Sequence, residues 1–194
     1  MSFFRVIGGR VDANTVAEVK VLADGTVVTE TVDGSVSGKL DNAIINNTAF
    51  IMSGSQLTPK GGYYTLFLTV PDAPSKLFYI DWSFAMQREG SIQLVEGVTT
   101  VGTPTAKTFE NRNRNSATAA TVTAGSLVNS AGAAPAIGGT PVYSHYFPTD
   151  TSANHPDGGR VILKNNTVYA FAFGGSNITE NQLSVRVDLY EIDA

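Results

Sequence analysis

The chain has 194 residues, with 15% charged and 42% hydrophobic side chains, a net charge of −4 and no cysteine. So little charge, against roughly 25% in an ordinary soluble domain, and so much Thr, Ser, Asn and Gly favour strands and turns over long helices. The negative balance excludes a global positive field for nucleic acid or an anionic membrane, and the lack of cysteine excludes disulfides, a thiol nucleophile and Cys-ligated metal.

At the N-terminus the apolar run Phe3-Phe4-Arg5-Val6-Ile7 is too short for a secretory core. No stretch approaches the roughly 18 apolar residues of a membrane helix. The expectation is a soluble protein made in the cytoplasm of its producing cell, without a membrane partner. Residues 1–40 read as an arm. Lys20–Leu22 and Thr26–Thr29 flank Ala23-Asp24-Gly25, an Asp-Gly hairpin signal. The polar, glycine-punctuated stretch Asp33–Lys39 reads as a linker. An isolated hairpin is marginal in water, so the arm is expected to dock on something.

Residues 41–194 read as one domain. Ala49–Met52, Tyr63–Val70 and Leu77–Ala85 are predicted strands, the last two split by Pro71 and Pro74. Phe78, Ile80, Trp82 and Phe84 fall on one face at period two, which predicts a half-buried strand. Ser91–Glu96 and Val98–Val101 follow, broken by Gly97. Residues 115–140 are rich in Ala, Thr, Ser and Gly and read as a long exposed loop, with a small strand at Ala119–Thr123. Gly159–Leu163, Thr167–Phe173 and Leu183–Ile192 are strands joined by short turns. In the second of these, Val168, Ala170 and Ala172 oppose Tyr169, Phe171 and Phe173. The fold class is therefore all-β, a β-sandwich or jelly roll with an N-terminal hairpin arm and almost no helix.

No chemical motif stands out. Gly61-Gly62 and Gly174-Gly175 lack the strand-to-helix setting of a phosphate loop, and Ser53-Gly54-Ser55 lacks that of a nucleophile elbow. His145 and His155, with Asp150 and Asp157 nearby, match no metal signature and read as surface-loop imidazoles. Glu89 and Glu96 would have to meet across a turn to act as a glycosidase pair, and read instead as solvated strand ends. Tyr143, Tyr146 and Phe147 could be exposed aromatics that stack on sugars or anchor an interface, but read rather as the core end of the loop, because Val142 and Phe147 add apolar weight. Arg112 and Arg114 alternate with Asn111, Asn113 and Asn115, so on an extended segment both arginines point the same way. Two readings stay open: an anchor for a partner's carboxylate, or an intrachain clamp to Glu110 or Asp81.

One resemblance emerges. Leu94-Val95-Glu96-Gly97, then Thr108-Phe109-Glu110-Asn111-Arg112-Asn113-Arg114-Asn115-Ser116, then Ile162-Leu163-Lys164-Asn165-Asn166-Thr167-Val168-Tyr169, and a last strand closing in Leu189-Tyr190-Glu191, follow each other in order over about residues 75–194. This order is similar to that of small tailed-phage head decoration, or cement, proteins. The resemblance implies a β-sandwich on the outer surface of the head, commonly trimeric, that binds the major capsid protein lattice and stabilises it by linkage. It implies no catalytic residue and no cofactor. Asn111, Arg112 and Arg114, with Val19, Val21 and Val27 of the hairpin, are the candidate subunit or shell contacts. The competing expectation is a receptor- or glycan-binding module of a phage fibre, against which Trp82 in a buried strand and the lack of a repetitive stalk both weigh.

Overall fold

Strands whose apolar residues recur every second position have one face to bury, and two such sheets bury it against each other. A computed structural model describes residues 15–21, 27–33, 43–99, 102–129, 137–147, 153–155, 159–176 and 179–193; for 15–21, 27–33 and 153–155 it describes the backbone alone. Strands β1 (Thr15–Val21) and β2 (Val27–Asp33) form the expected antiparallel hairpin, with Val21 opposite Val27. Among the described residues this hairpin is a sheet by itself.

The body starts with a helical turn at 43–45. It continues through β3 (Ala49–Thr58), β4 (Tyr63–Val70), β5 (Lys76–Met86), β6 (Gly90–Glu96), β7 (Thr105–Lys107), β8 (Glu110–Asn111) and β9 (Thr123–Asn129). Then come β10 (Thr140–Phe147), β11 (Ala153–His155), β12 (Arg160–Leu163), β13 (Thr167–Gly174) and β14 (Asn181–Asp193). The first sheet has the order β10-β6-β13-β4-β9-β7. The second has β5-β14-β3-β8, with β11 and β12 both pairing the free side of β5. All pairings are antiparallel. Without the short β7, β8 and β11 and the inserted β9, the sheets read β10-β6-β13-β4 and β12-β5-β14-β3. That is the interleaved order of an eight-stranded jelly roll.

The core lies between the sheets. Phe78, Ile80, Trp82 and Phe84 of β5 all point into it, as their alternation predicts, and meet Tyr169, Phe171 and Phe173 of β13. The Trp82 indole packs edge-on against Phe171, with ring centres 5.3 Å apart, and against Tyr143 at 5.8 Å. The backbone of Gly159 covers it from the side: a Cβ there would lie 2.0 Å from the indole. Val168, Ala170 and Ala172 face the other way, also as expected. Ala170 belongs to a second cluster with Phe67, Val95, Val98 and Ile137 on the outer face of the first sheet.

That second cluster explains two departures from the sequence reading. Val98 and Thr99 are not in a strand; residues 100 and 101 lie outside the described residues. Gly97, at φ +71°, turns the chain off the sheet, and Val98 then folds back over it. The amide of Val98 donates to Val168 O, and that of Thr99 to Ile137 O. The expected loop at 115–140 is also shorter. Its strand is β9, starting at Thr123 rather than Ala119 and pairing with β4 over seven residues. The small residues there are a packing requirement, because a Cβ on Gly125 would sit 2.9 Å from Pro104.

Candidate functional site

Strand β8 pairs with β3 for only two residues, Asn111 opposite Phe50 and Glu110 opposite Ile51. The buried Asn111 side chain ends it. Its amide donates to Asn47 O at 2.9 Å and Thr118 O at 3.2 Å, and its carbonyl accepts from the Asn113 amide at 2.9 Å. This last bond is an Asx turn, which bends the chain. The segment is therefore not extended, and Arg112 and Arg114 diverge. Arg112 donates to the Tyr190 hydroxyl at 2.6 Å, lies 3.7 Å from Asp188 and sits over the Tyr190 ring. Arg114 pairs with Glu110 at 3.3 Å in solvent. Both arginines thus make intrachain clamps, one to the expected Glu110 and one to a partner that the sequence did not indicate.

Arg112 stands at the rim of a larger surface, the outer face of the second sheet. Strand register aligns Arg160, Asp81, Asp188, Ile51 and Glu110 in one row across five strands. Arg160 pairs with Asp81 at 3.0 Å, and Arg186 holds both oxygens of Asp188 at 2.8 and 3.1 Å. The neighbouring row runs Ile162, Tyr79, Tyr190, Ala49, with Leu77 beside Ile192 beyond it. The Tyr79 and Tyr190 rings lie 5.9 Å apart, and the helical turn at 43–45 packs Ala43 and Ile44 onto them. Burial pushes the Tyr190 hydroxyl above its usual range, against the opposing pull of Arg112. Ile162 remains 55% exposed, Ile45 73% and Leu77 39%. An apolar, aromatic centre with an arginine rim is the composition of a protein–protein contact surface.

The other residues that carry the sequence resemblance also meet in space, as clamps. Glu96 accepts from the Tyr169 hydroxyl at 2.9 Å and is paired with the Lys164 ammonium, while that hydroxyl accepts from the Lys164 amide at 2.9 Å. The turn between them has Asn166 at φ 51°. At the end of β14 the buried Glu191 carboxylate accepts from the Thr121 amide and hydroxyl at 2.6 and 2.8 Å and from the Val122 amide at 3.3 Å. Lys76 approaches it at 3.5 Å. The Glu-Gly, Lys-Asn-Asn-Thr-x-Tyr, Asn-Arg and Tyr-Glu elements are thus contacts that tie loops to strand ends.

No protein-family model matches the chain. No curated protein matches it either. The surface and the clamps therefore carry the functional reading on their own chemistry.

The remaining candidates are dispersed. Glu89 and Glu96 sit at opposite ends of β6, about 23 Å apart at strand rise, and cannot form a catalytic pair. His145 is on β10 rather than in a loop, its ring 4.7 Å from that of Phe147. His155 lies on β11 with only its backbone described, and Asp150 and Asp157 lie outside the described residues. Among the described residues no three potential ligands cluster as a metal site, and no helix is long and apolar enough to cross a membrane. Phe147 and Tyr143 turn inward, as expected of the core end of a loop, but Tyr146 is 62% exposed on the opposite face of β10. Val19, Val21 and Val27 pair within the hairpin, and their side chains lie outside the described residues.

The Tyr169 clamp yields a pH prediction. Desolvation raises its hydroxyl to about 12, and the bond to Glu96 adds to the effect. A folded-state value above the unfolded one, about 10, means that the stabilisation is complete below pH 10 and is lost as pH rises through 12. Glu96 works at the other end: its carboxyl is held below the usual range, first by Lys164 and then by Tyr169, so its contribution is lost as pH falls through the folded value. Tyr169→Phe is expected to flatten the fall in urea midpoint between pH 9 and 12. An alkaline limb as steep as in the parent protein would disprove the assignment.

Proposed function

We propose that this chain is a non-enzymatic structural protein that decorates and stabilises the outside of a tailed-phage head by binding the major capsid protein lattice, as a homotrimer. The observation that carries the reading is the outer face of the second sheet, where Ile162 and Leu77 stand exposed beside the partly buried Tyr79 and Ile192, over a buried Tyr190, with Arg112 and Arg160 at the rim. The ion pairs at the rim hold the arginines in place, so little side-chain freedom is left to lose on docking. Clamps at Glu96 and Glu191 tie loops to strand ends elsewhere in the sandwich, as a permanent outer ornament requires. Among the described residues β1 and β2 pair with no other strand, which supports the same reading, because such a hairpin docks by adding a strand to a neighbour's sheet. Short edge strands such as β7 and β8 fit a trimer whose neighbouring copies cover sheet edges.

The test is cosedimentation with purified heads that lack the protein, with electron microscopy of labelled virions. The intact chain is expected to bind heads at regular lattice positions. Ile162→Asp, a change at an exposed strand position, is expected to keep the melting temperature within a few degrees and lower head binding at least tenfold. A truncation starting at Lys39 is expected to fold and to bind heads weakly or not at all. Light scattering is expected to give a trimer. Labelling confined to the tail tip, or normal binding by both variants, would overturn the reading.

A further inference from the structure

The opposite face of the sandwich carries a different surface. On the outer side of the first sheet, register places Tyr146, Ser91, Gly174 and Tyr63 in one row across β10, β6, β13 and β4. The next row holds Ser144, Gln93 and Ala172. Two bulky rings thus stand three strand spacings apart, about 14 Å at the Cα positions, with only small or polar residues between them. The result is a groove made of two adjoining hollows of about 470 and 240 Å³, which share Tyr63, Ser91 and Gly174. Ile137, Gly138 and Gly139 form its far wall, and Glu89 closes the near end. The floor is built for this shape. A Cβ on Gly174 would lie 2.8 Å from the Ser91 hydroxyl and 3.3 Å from the Tyr63 ring, so a larger residue there would push both side chains aside.

We infer that this groove binds a neutral oligosaccharide. Tyrosine rings on its two flanks, in the half that Glu89 closes, offer apolar faces to the C–H faces of sugar rings while their hydroxyls stay wet. The Gln93 amide supplies donors and an acceptor, the Ser91 hydroxyl one of each, and Glu89 accepts at the end of the groove, an inventory suited to vicinal hydroxyls. Among the described residues no lysine or arginine lines it, and the charged side chain that does is an acid, so sialylated, sulfated and phosphorylated ligands are disfavoured. The span from Tyr63 to Tyr146 exceeds one sugar ring, which makes the ligand at least a disaccharide. The inference does not rest on attachment to a phage head, since the groove and the arginine-rimmed face lie on opposite sheets.

The experiment probes an array of neutral, sialylated and sulfated oligosaccharides with the labelled full chain, followed by titration NMR with the neutral sugars that score. The parent protein, Tyr146→Ala and Gln93→Ala are compared; both variants change exposed side chains and are expected to melt like the parent. The expected result is binding to neutral oligosaccharides that falls at least tenfold in each variant. Binding confined to anionic sugars, no neutral sugar bound at millimolar concentration, or unchanged affinity in either variant would overturn the inference. Head cosedimentation of the same variants is expected to be normal, which separates a failure here from a failure of the shell-binding reading.

Discussion

Trp82→Ala is expected to lower the unfolding free energy by about 3–5 kcal/mol, the usual cost of truncating a large aromatic in a packed core. The side chain is 3% exposed and meets both sheets: it stands on β5, packs edge-on against Phe171 of β13 and Tyr143 of β10, and is capped by the Gly159 backbone. Alanine there leaves three walls without a partner, and the two sheets cannot close on the space without breaking their ladders. Trp82→Phe keeps a ring between the sheets and should recover more than half of the loss. Urea unfolding, followed by far-ultraviolet circular dichroism, measures both. A midpoint for Trp82→Ala within error of the parent would mean that the ring is not a core element, and would remove the buried tryptophan as an argument against a glycan-binding module of a phage fibre.

Glu191→Ala should be nearly as costly, at about 3 kcal/mol, for a different reason. The carboxylate is buried, and two backbone amides and one hydroxyl from residues 121 and 122 donate to it. Removing the acceptor leaves those donors without a partner where water enters poorly, at roughly 1–3 kcal/mol for each group that is not resatisfied. Lys76 also loses its counter-ion, a smaller effect because that side chain is partly exposed. Glu191→Gln retains an acceptor and should lose about half as much. Amide exchange supplies a local check: Thr121 and Val122 should lose protection in Glu191→Ala beyond the global change. Equal stability of Glu191→Ala and the parent, with unchanged protection at these two amides, would show that the clasp is incidental.

The sequence determined a good deal of this protein by itself. Period-two alternation in 77–85 and 167–173 placed β5 and β13 and the direction of their side chains, because a residue's face in a strand depends only on its parity. The Asp-Gly signal placed the β1–β2 hairpin, because a turn type is set by two or three residues. Low charge and turn-rich composition were enough for the all-β class. The sequence alone placed β9 four residues too early and did not reveal β10, where Gly125 and Pro141 hide the pattern. Small residues there answer to close approach between strands, which local periodicity does not encode.

Only the tertiary structure decided the rest. Glu96 and Glu89 are seven residues apart in sequence, yet strand β6 holds them at opposite ends, while Glu96 meets Tyr169 across 73 residues and Glu191 meets Thr121 across 70. Arg112 and Arg114 share a local pattern, and an Asx turn at Asn111 sends them to different partners. The two candidate surfaces are likewise products of register. Tyr146, Ser91, Gly174 and Tyr63 become one row only when β10, β6, β13 and β4 lie side by side, and a slip of one residue would turn each of them to the other face of the sheet. Which strands are neighbours is fixed by long-range burial of the whole core, and no window of sequence contains that information.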